Sequence, residues 1–283
     1  MRTAIVTDST SYIPKELREE LNIHMIPLSV IIDQKTYREE LDMTEEEFYE
    51  RVRMMDELPK TTQPPIGEFM KLYQRLSKEY DAVIGIYLSS GISGTYQTSI
   101  AAGELVKEID VYSFDSEISC MLQGFFAIRA AELAREGKEP EEILNELEAM
   151  KPSMRAYFIV DDLNHLKRGG RLNGAQALIG GLLQVKPLLH FVDKVIVPFE
   201  KVRTSKKALK RVADLFAEDY EKGEPLKGSI IHANCEEAAQ RWLEELQARF
   251  PNAELELSHF GPVIGTHLGE GALGFGWIKK ADK

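Results

Sequence analysis

Short apolar runs rich in β-branched residues alternate, in the first half of the chain, with segments whose apolar residues recur every three or four positions. The short runs predict β-strands, and they are TAIVTD, IHMIPLSVII, AVIGIYL and DVYSFDS. The longer segments predict helices, and they are PKELREELN, TEEEFYERVRMM, PIGEFMKLYQRLSKEY, GTYQTSIAAGELVKE and two more that extend to about Met150. This strand–helix alternation predicts an α/β fold with a doubly wound, mostly parallel sheet.

The pattern changes after Lys151. A strand, a Gly-rich basic turn and a hairpin are predicted for RAYFIVDDL, LKRGGRLNG and PLLHFVDKVIVPFEKVRT. A helix, a strand and a helix follow in SKKALKRVADLFAEDYEK, GSIIHAN and EEAAQRWLEELQARF. The final segment, AELELSHFGPVIGTHLGEGALGFGWIKK, predicts two strands around a Gly-rich loop. We therefore predict an N-terminal doubly wound domain over residues 1–155 and a C-terminal mixed α/β domain over residues 156–283.

Composition narrows the class of protein. The chain has 283 residues and a net charge of −11, which argues against binding nucleic acid because phosphate recognition needs clustered Lys and Arg. Cys120 and Cys235 are far apart and lack metal-ligand spacing, so we expect reduced, mostly buried thiols and no metal site. The first apolar run is interrupted by Asp8, and no stretch approaches the roughly 20 apolar residues of a membrane helix. We expect a soluble, cytoplasmic protein.

Polar loops follow several predicted strands. Ligands of open α/β sheets bind where the carboxyl ends of strands meet loops. Four such loops carry hydroxyl, histidine or glycine residues, and they are TDST, KTTQPP, SSGISGTYQ and GTHLGEG. A phosphate-binding P-loop would need a lysine that SSGISGTYQ lacks, and TDSTSYIP holds the place of a dinucleotide-binding glycine fingerprint.

Two interpretations of SSGISGTYQ remain. In the first, Ser93 is a nucleophile, although the second glycine of a GxSxG elbow stands one residue early, at Gly94. His267 would be its base, but the sequence indicates no carboxylate behind that histidine. In the second, Ser93 and the following amide groups bind an anion at a helix N-terminus, with Thr61 and Thr62 on a neighbouring loop. Each hydroxyl taken alone is also a plausible helix cap.

Basic residues outside this loop are open to two interpretations as well. His267 lies in a glycine-rich setting that allows a ligand to approach closely, although a single histidine is most often structural. Arg168, Arg171 and Arg203 interrupt an acidic chain at two predicted turns. They serve either a site or the solvated surface.

Seven segments, in this order, resemble the signatures of the DegV family: AIVTDST, KTTQPPIGEF, LSSGISGTYQ, FIVDDLNHLKRGGR, KPLL, VRT and GPVIGTHLGEGALG. The resemblance extends from the first strand to the last. Members of that family are fatty-acid-binding proteins, and several are the FakB-like subunit of bacterial fatty acid kinase. The resemblance implies two α/β domains with a lipid tunnel between them, and one long-chain fatty acid as the only ligand, with no other cofactor.

The resemblance also implies roles for individual residues. Fatty-acid carboxylate contacts are implied for Thr61, Thr62, Ser93 and His267, and head-group or kinase-facing roles for Arg171 and Arg203. The protein would be a carrier, not catalytic by itself, that presents its fatty acid to an ATP-dependent kinase for acyl-phosphate formation in phospholipid metabolism. Transient membrane contact is compatible with that function. Two positions depart from the family pattern: Pro65 replaces a serine, and Glu270 replaces a proline near the carboxylate loop.

Elementary energetics is consistent with a carrier. Burying an acyl chain yields about 0.8 kcal/mol per methylene, or on the order of 10 kcal/mol for sixteen carbons. Removing water from a carboxylate costs several kcal/mol unless donors replace it. An apolar tunnel ending in a donor cluster is therefore needed, and ALIGGLLQVKPLL is a candidate for part of its wall. The alternative is a serine-dependent lipid esterase or acyl transferase that uses Ser93.

Overall fold

The computed structural model describes residues 1–55, 57–172 and 186–280. They form two compact units. The first unit combines Met1–Thr44 with Pro59–Lys151, and the second combines Glu45–Leu58 with the chain from Pro152 onward. In chain order the helices are α1 (Lys15–Leu21), α2 (Glu45–Val52), α3 (Ile66–Leu76), α4 (Thr95–Leu105), α5 (Met121–Arg135), α6 (Pro140–Met150), α7 (Asn164–Gly169), α8 (Ser205–Tyr220), α9 (Glu236–Arg249) and α10 (Pro262–Leu268).

The first unit contains two sheets. Its strands are β1 (Thr3–Asp8), β2 (Ile23–Ile26), β3 (Ser29–Ile32), β4 (Lys35–Arg38), β5 (Lys60–Thr62), β6 (Ala82–Tyr87) and β7 (Asp110–Asp115). The main sheet has the order β2-β1-β6-β7 and is parallel throughout, as predicted. The chain goes from β1 to one neighbour and later to the other, so the β1/β6 junction is the switch point at which ligands of such sheets bind.

One predicted strand is two strands in the structure. IHMIPLSVII was predicted as a single strand, but β2 ends at Ile26 and β3 begins at Ser29 in a different, antiparallel sheet of order β4-β3-β5. Pro27 interrupts the run because it has no N–H to donate to a ladder. Thr61 and Thr62, predicted in a loop, lie on β5 opposite Val30 and Ser29.

The second unit is built on a six-stranded mixed sheet. Its strands are β8 (Arg155–Ile159), β9 (Lys186–Val192), β10 (Val195–Val202), β11 (Leu226–His232), β12 (Glu254–His259) and β13 (Leu273–Lys279), in the order β10-β9-β8-β13-β11-β12. The predicted hairpin is confirmed: Asp193 and Lys194 have φ values of 46° and 73°, the left-handed pair that a two-residue hairpin turn requires. Phe216 of α8 packs in the core against the rings of Phe275 and Trp277.

Two short helices lie where turns or loops were predicted. The helix α7 occupies the basic turn, and α10 occupies the Gly-rich segment before β13. Pro262 is the first residue of α10, a position where its missing N–H is not needed. The helix gives way at Gly269, whose φ of 76° suits glycine. His267 is therefore held on a helix, not in a flexible loop.

The segment Glu45–Leu58 also differs from the prediction, which assigned it to the N-terminal domain. In the structure it packs within the second unit. The Tyr49 hydroxyl donates to the Phe260 carbonyl at 2.6 Å, and a Cβ on Gly265 would lie 3.1 Å from the Phe48 ring. The amphipathic pattern identified a helix correctly, but a periodicity does not indicate which neighbour the apolar face will meet.

Among residues 1–55, 57–172 and 186–280, no helix is long and apolar enough to cross a bilayer. Cys120 and Cys235 are free thiols; Cys120 is buried and Cys235 is partly buried.

Candidate functional site

The first strand ends in a buried carboxylate. The Asp8 side chain accepts hydrogen bonds from the Thr10 N–H at 2.9 Å, from the Thr10 hydroxyl at 2.6 Å and, through its other oxygen, from the Leu88 N–H at 2.9 Å. Burial raises the pKa of Asp8, against the lowering effect of these donors. Asp8 thus ties the turn after β1 to the chain after β6, at the switch point.

Two further hydroxyls of this turn donate to a second buried carboxylate. Glu39 is only 1% exposed. It accepts a hydrogen bond from the Ser9 hydroxyl at 2.5 Å and another from the Tyr12 hydroxyl at 3.0 Å. The TDST loop, a candidate ligand loop in the sequence, is therefore occupied with satisfying the protein's own buried charges, as their burial requires.

The two ends of the loop after β6 differ: one is fixed to the neighbouring strand, and the other presents a hydroxyl at the start of α4. Ser90 donates from its hydroxyl to Asp115 at 2.5 Å and from its N–H at 3.1 Å, which fixes the loop to the end of β7. Ser93 is half-buried. Its hydroxyl lies 2.9 Å from the Thr95 hydroxyl and accepts from the Thr95 N–H at 3.3 Å, at the start of α4. Either hydroxyl can donate in the Ser93–Thr95 contact, and when Thr95 donates, the Ser93 proton is left for another acceptor.

Gln63 joins the two hydroxyl loops. Its carboxamide donates to the Thr98 hydroxyl at 2.5 Å, in the first turn of α4. It also covers Gly94 so closely that a Cβ there would collide with the Gln63 side chain. Thr62 directly precedes Gln63, and its hydroxyl donates to the Gln63 carbonyl at 3.2 Å. The structure therefore brings the Thr61–Thr62 strand end next to the Ser93 loop within the first unit. We call this group of side chains the hydroxyl site; its members are Thr61, Thr62, Ser93 and Gln63.

In the second unit, His165, Arg171 and His267 come together, and we call them the His267 cluster. The imidazole of His267 packs over Gly169, where a Cβ would collide with it. The Arg171 guanidinium donates to the Gly169 carbonyl at 2.5 Å. His165, one turn earlier on α7, faces Gly269, whose Cβ would lie 3.1 Å from the ring.

Two basic groups of this cluster, His267 and Arg171, are partly removed from water. Burial, with the nearby charges of Arg171 and His165, lowers the pKa of His267 to about 4. Burial also lowers the pKa of Arg171. His267 is therefore neutral at pH 7 beside a cation, an arrangement that a bound anion would stabilise.

Arg203 does not join this cluster. It is exposed between β10 and the Thr204 cap of α8, and it lines a groove with Lys207 and Lys210. No side-chain hydrogen bond or ion pair involves Arg203 within the described ranges. The two arginines for which the resemblance implies head-group or kinase-facing roles thus differ in environment.

Comparison with known proteins assigns the family. The model of the family described as "Uncharacterised protein, DegV family" matches residues 2–280. The protein DegV of Bacillus subtilis strain 168 is 59% identical over 281 residues, covering 99% of this chain and 100% of that protein.

This chain belongs to the DegV family.

Solved structures of DegV proteins agree in fold. The structure of DegV from Bacillus subtilis, described as a fatty acid binding protein, superposes with a TM-score of 0.95 at 59% identity over 99% of this chain and 100% of that one. A fatty acid binding DegV family protein from Streptococcus agalactiae superposes with a TM-score of 0.91 at 35% identity, covering 99% and 100%. A third, from Thermus thermophilus, gives 0.92 at 32% identity, again with 99% and 100% coverage.

Both departures from the DegV pattern have structural counterparts. The charge of Glu270 is met by Arg53, whose Nε lies 2.8 Å away, and by the Asn234 side chain at 2.7 Å. These partners lower the pKa of Glu270. Pro65 precedes the first residue of α3 with φ −61° in extended backbone, which suits proline.

Gln63 and His165 were missed by sequence reasoning. Gln63 stands beside two threonines, and its carboxamide could have been considered as a donor. His165 lies six residues before Arg171, and it comes near His267 because α7 forms where a turn was predicted. Residues 177–185 of the predicted tunnel wall lie outside the described residues, and the tunnel stays a prediction. Across the described ranges, no group of three His, Cys, Asp or Glu residues could hold a metal ion.

Proposed function

We propose that this protein binds one long-chain fatty acid and presents its carboxylate to an ATP-dependent kinase for acyl-phosphate formation. The observation that carries the lipid part is the full-length similarity to the fatty acid binding DegV of Bacillus subtilis. The hydroxyl site supports the same proposal from geometry, because it gathers neutral donors at the start of a helix without an acidic residue in its first turn.

Thr61, Thr62 and Ser93 are the proposed carboxylate ligands, and His267 is a proposed further contact. Neutral hydroxyl donors suit this task because they replace water around the carboxylate without adding a buried charge. A neutral imidazole donates a hydrogen bond in the same way. Gln63 holds the hydroxyls in place and is proposed as a positioning residue.

The proposed reaction on the bound acid is a phosphoryl transfer. A carboxylate oxygen forms a bond to the γ-phosphorus of ATP as the bond to the ADP oxygen breaks, which gives acyl-phosphate and ADP. Negative charge at the reacting end of the lipid increases, so cationic groups are needed there. Arg171, half-buried in the His267 cluster, is proposed for that purpose. Arg203, which is exposed, is proposed to face the kinase.

Lipid content is the first test. Purified protein is denatured and extracted, and the extract is analysed by mass spectrometry. We expect about one long-chain fatty acid per chain, because an empty tunnel of that length would lose many packing contacts. A fully stable protein that purifies without lipid and binds none would contradict the proposal.

The kinase part has a separate test. Loaded protein is mixed with the fatty acid kinase of a DegV-containing bacterium and ATP, and acyl-phosphate is trapped with hydroxylamine. Hydroxamate should form only when protein, kinase and ATP are all present. If the protein binds lipid but no acyl-phosphate forms, the lipid-binding part of the proposal stands and the kinase part is contradicted. Ester hydrolysis by the wild type, lost in Ser93→Ala, would instead support the serine esterase.

A further inference from the structure

The first two turns of α8 are basic on their outer face, whereas Asp214 and Glu218 lie on that face further along the helix. Ala208, Val212 and Phe216 are buried against the sheet. The opposite face of this helix carries Lys206, Lys207, Lys210 and Arg211. The chain as a whole has a net charge of −11, so this concentration of positive charge opposes the general character of its surface.

A groove runs beside this face, between α8 and α9. Its cavity volume is about 690 Å³. Its apolar lining includes Leu209 and Ala213 of α8 with Trp242 of α9. The charged side chains that line it are four basic residues and one carboxylate: Lys206, Lys210, Arg241, Arg249 and Glu245. An apolar floor with a basic rim is the complement of an amphipathic helix whose polar face is acidic.

Arg241 on the rim lies 3.9 Å from Glu237, one turn earlier on α9, but two other rim charges have no such partner within the described ranges. Arg211 pairs with Glu200 at 3.0 Å, but Lys206 and Lys210 make no ion pair with any residue in the described part of the chain. The first turn of α8 contains no acidic residue. Lysines at a helix N-terminus oppose the helix dipole, and lysines four residues apart repel each other. This arrangement therefore lowers the stability of α8 in the absence of an external anionic partner.

The shape of the groove favours a protein helix over a membrane. A bilayer is flat, whereas the apolar residues here lie in a concave groove. Within the described ranges, the large apolar side chains that are exposed, such as Leu41, Met54 and Leu105, are not among those lining this groove. Membrane docking by a basic surface usually adds an exposed apolar side chain that inserts.

We propose that the groove between α8 and α9 binds an acidic amphipathic helix of a protein partner. Apolar residues of that helix lie on Leu209, Ala213 and Trp242, and its carboxylates pair with Lys206, Lys210 and Arg241. This docking surface goes beyond the lipid-binding function and does not depend on it.

The test uses a synthetic probe. A fluorescein-labelled 18-residue peptide with leucines at helical i, i+4 and i+7 positions and glutamates elsewhere is titrated with full-length protein, and fluorescence anisotropy is measured. Lys206→Glu/Lys210→Glu should raise the dissociation constant at least tenfold. The control Lys78→Glu/Lys107→Glu makes the same change in net charge at two exposed lysines of the first unit. It should change the dissociation constant less than twofold.

Two further measurements separate a groove from general attraction of charge. A scrambled peptide of the same composition should bind at least tenfold more weakly, and Leu209→Gln should weaken the amphipathic peptide at least threefold. Circular dichroism verifies that each variant is folded. Equal binding of the two peptides, equal effects of the two charge reversals, or no binding would overturn the proposal. The proposal would also be overturned if the protein cosedimented with vesicles of 30% phosphatidylglycerol in a way that depends on Lys206 and Lys210, with a higher affinity than for the peptide.

Discussion

In the first unit, the polar groups at the strand ends are mostly hydroxyls that buried carboxylates hold in place; in the second, they are imidazoles and a guanidinium packed over glycines. Asp8 and Glu39 orient the turn after β1, and Asp115 anchors the loop that contains Ser93. His165, Arg171 and His267 instead place three basic side chains together, and the two neighbours oppose protonation of His267. Burial raises the pKa of Asp8 in the first arrangement, whereas in the second it lowers the pKa of His267 to about 4.

The strongest test of the first arrangement is Asp8→Ala. The substitution leaves the N–H groups of Thr10 and Leu88 without their acceptor in a buried site, so the free energy of unfolding should fall by about 3 kcal/mol. Urea denaturation measures this change. Asp81→Ala is the control, since Asp81 also accepts a backbone N–H but is exposed, and its effect should stay below about 1 kcal/mol. Equal losses would show that Asp8 does not organise the switch point.

His267 should make stability depend on pH. Its folded pKa of about 4 lies below the ordinary value of 6.5, so the unfolded chain binds more protons between these values. Stability is therefore complete above pH 6.5 and is lost as pH falls towards 4, by up to about 3 kcal/mol. His267→Gln should remove that loss while matching wild type at pH 7.5. Parallel profiles from pH 7.5 to 4 would place the imidazole outside the desolvated cluster.

Removing a hydroxyl should weaken binding of the fatty acid but not binding of its methyl ester. Ser93→Ala and Thr62→Val are each expected to weaken fatty-acid binding by about 1–3 kcal/mol, since each removes a proposed donor to the carboxylate. Calorimetric titration compares the acid with the methyl ester of the same chain. If acid and ester lose affinity equally, these residues pack the lipid and do not hold its charge.

Substitutions of Arg171 and Arg203 should change different kinetic constants. With loaded protein and kinase, Arg171→Ala should lower kcat for acyl-phosphate at least tenfold, or about 1.4 kcal/mol, because a cation near the reacting group is lost. Arg203→Ala should instead raise the KM for the carrier, and added salt should reduce the difference. Both variants should retain their lipid. If Arg171→Ala purifies empty, this arginine belongs to the carboxylate site.

Sequence patterns anticipated the parts of the fold that depend on neighbours along the chain. The hairpin at Asp193–Lys194 is an example, because turn chemistry and alternation are both local. Pro27 shows the limit: the apolar run around it is continuous, and only the missing N–H reveals that one strand becomes two.

The candidate site shows the same division. Ser93 and Thr62 were predicted as site residues because hydroxyls at strand ends are visible in sequence, and their role stays a prediction. The carboxamide of Gln63 was not, since its position depends on how closely it covers Gly94. His165 was missed for a similar reason: it meets Arg171 and His267 only after α7 and α10 have packed together.

The path of the chain through Glu45–Leu58 has a consequence for synthesis of the protein. A ribosome makes these residues early, but the Phe260 carbonyl that accepts from Tyr49 emerges more than two hundred residues later. Until then Phe48 and Tyr49, both almost fully buried in the finished protein, lack the surface that covers them. The first unit can fold during translation, whereas the aromatic side chains of α2 stay exposed until the rest of the second unit has been made. Nascent chains that stall before residue 260 should therefore be the ones that recruit chaperones.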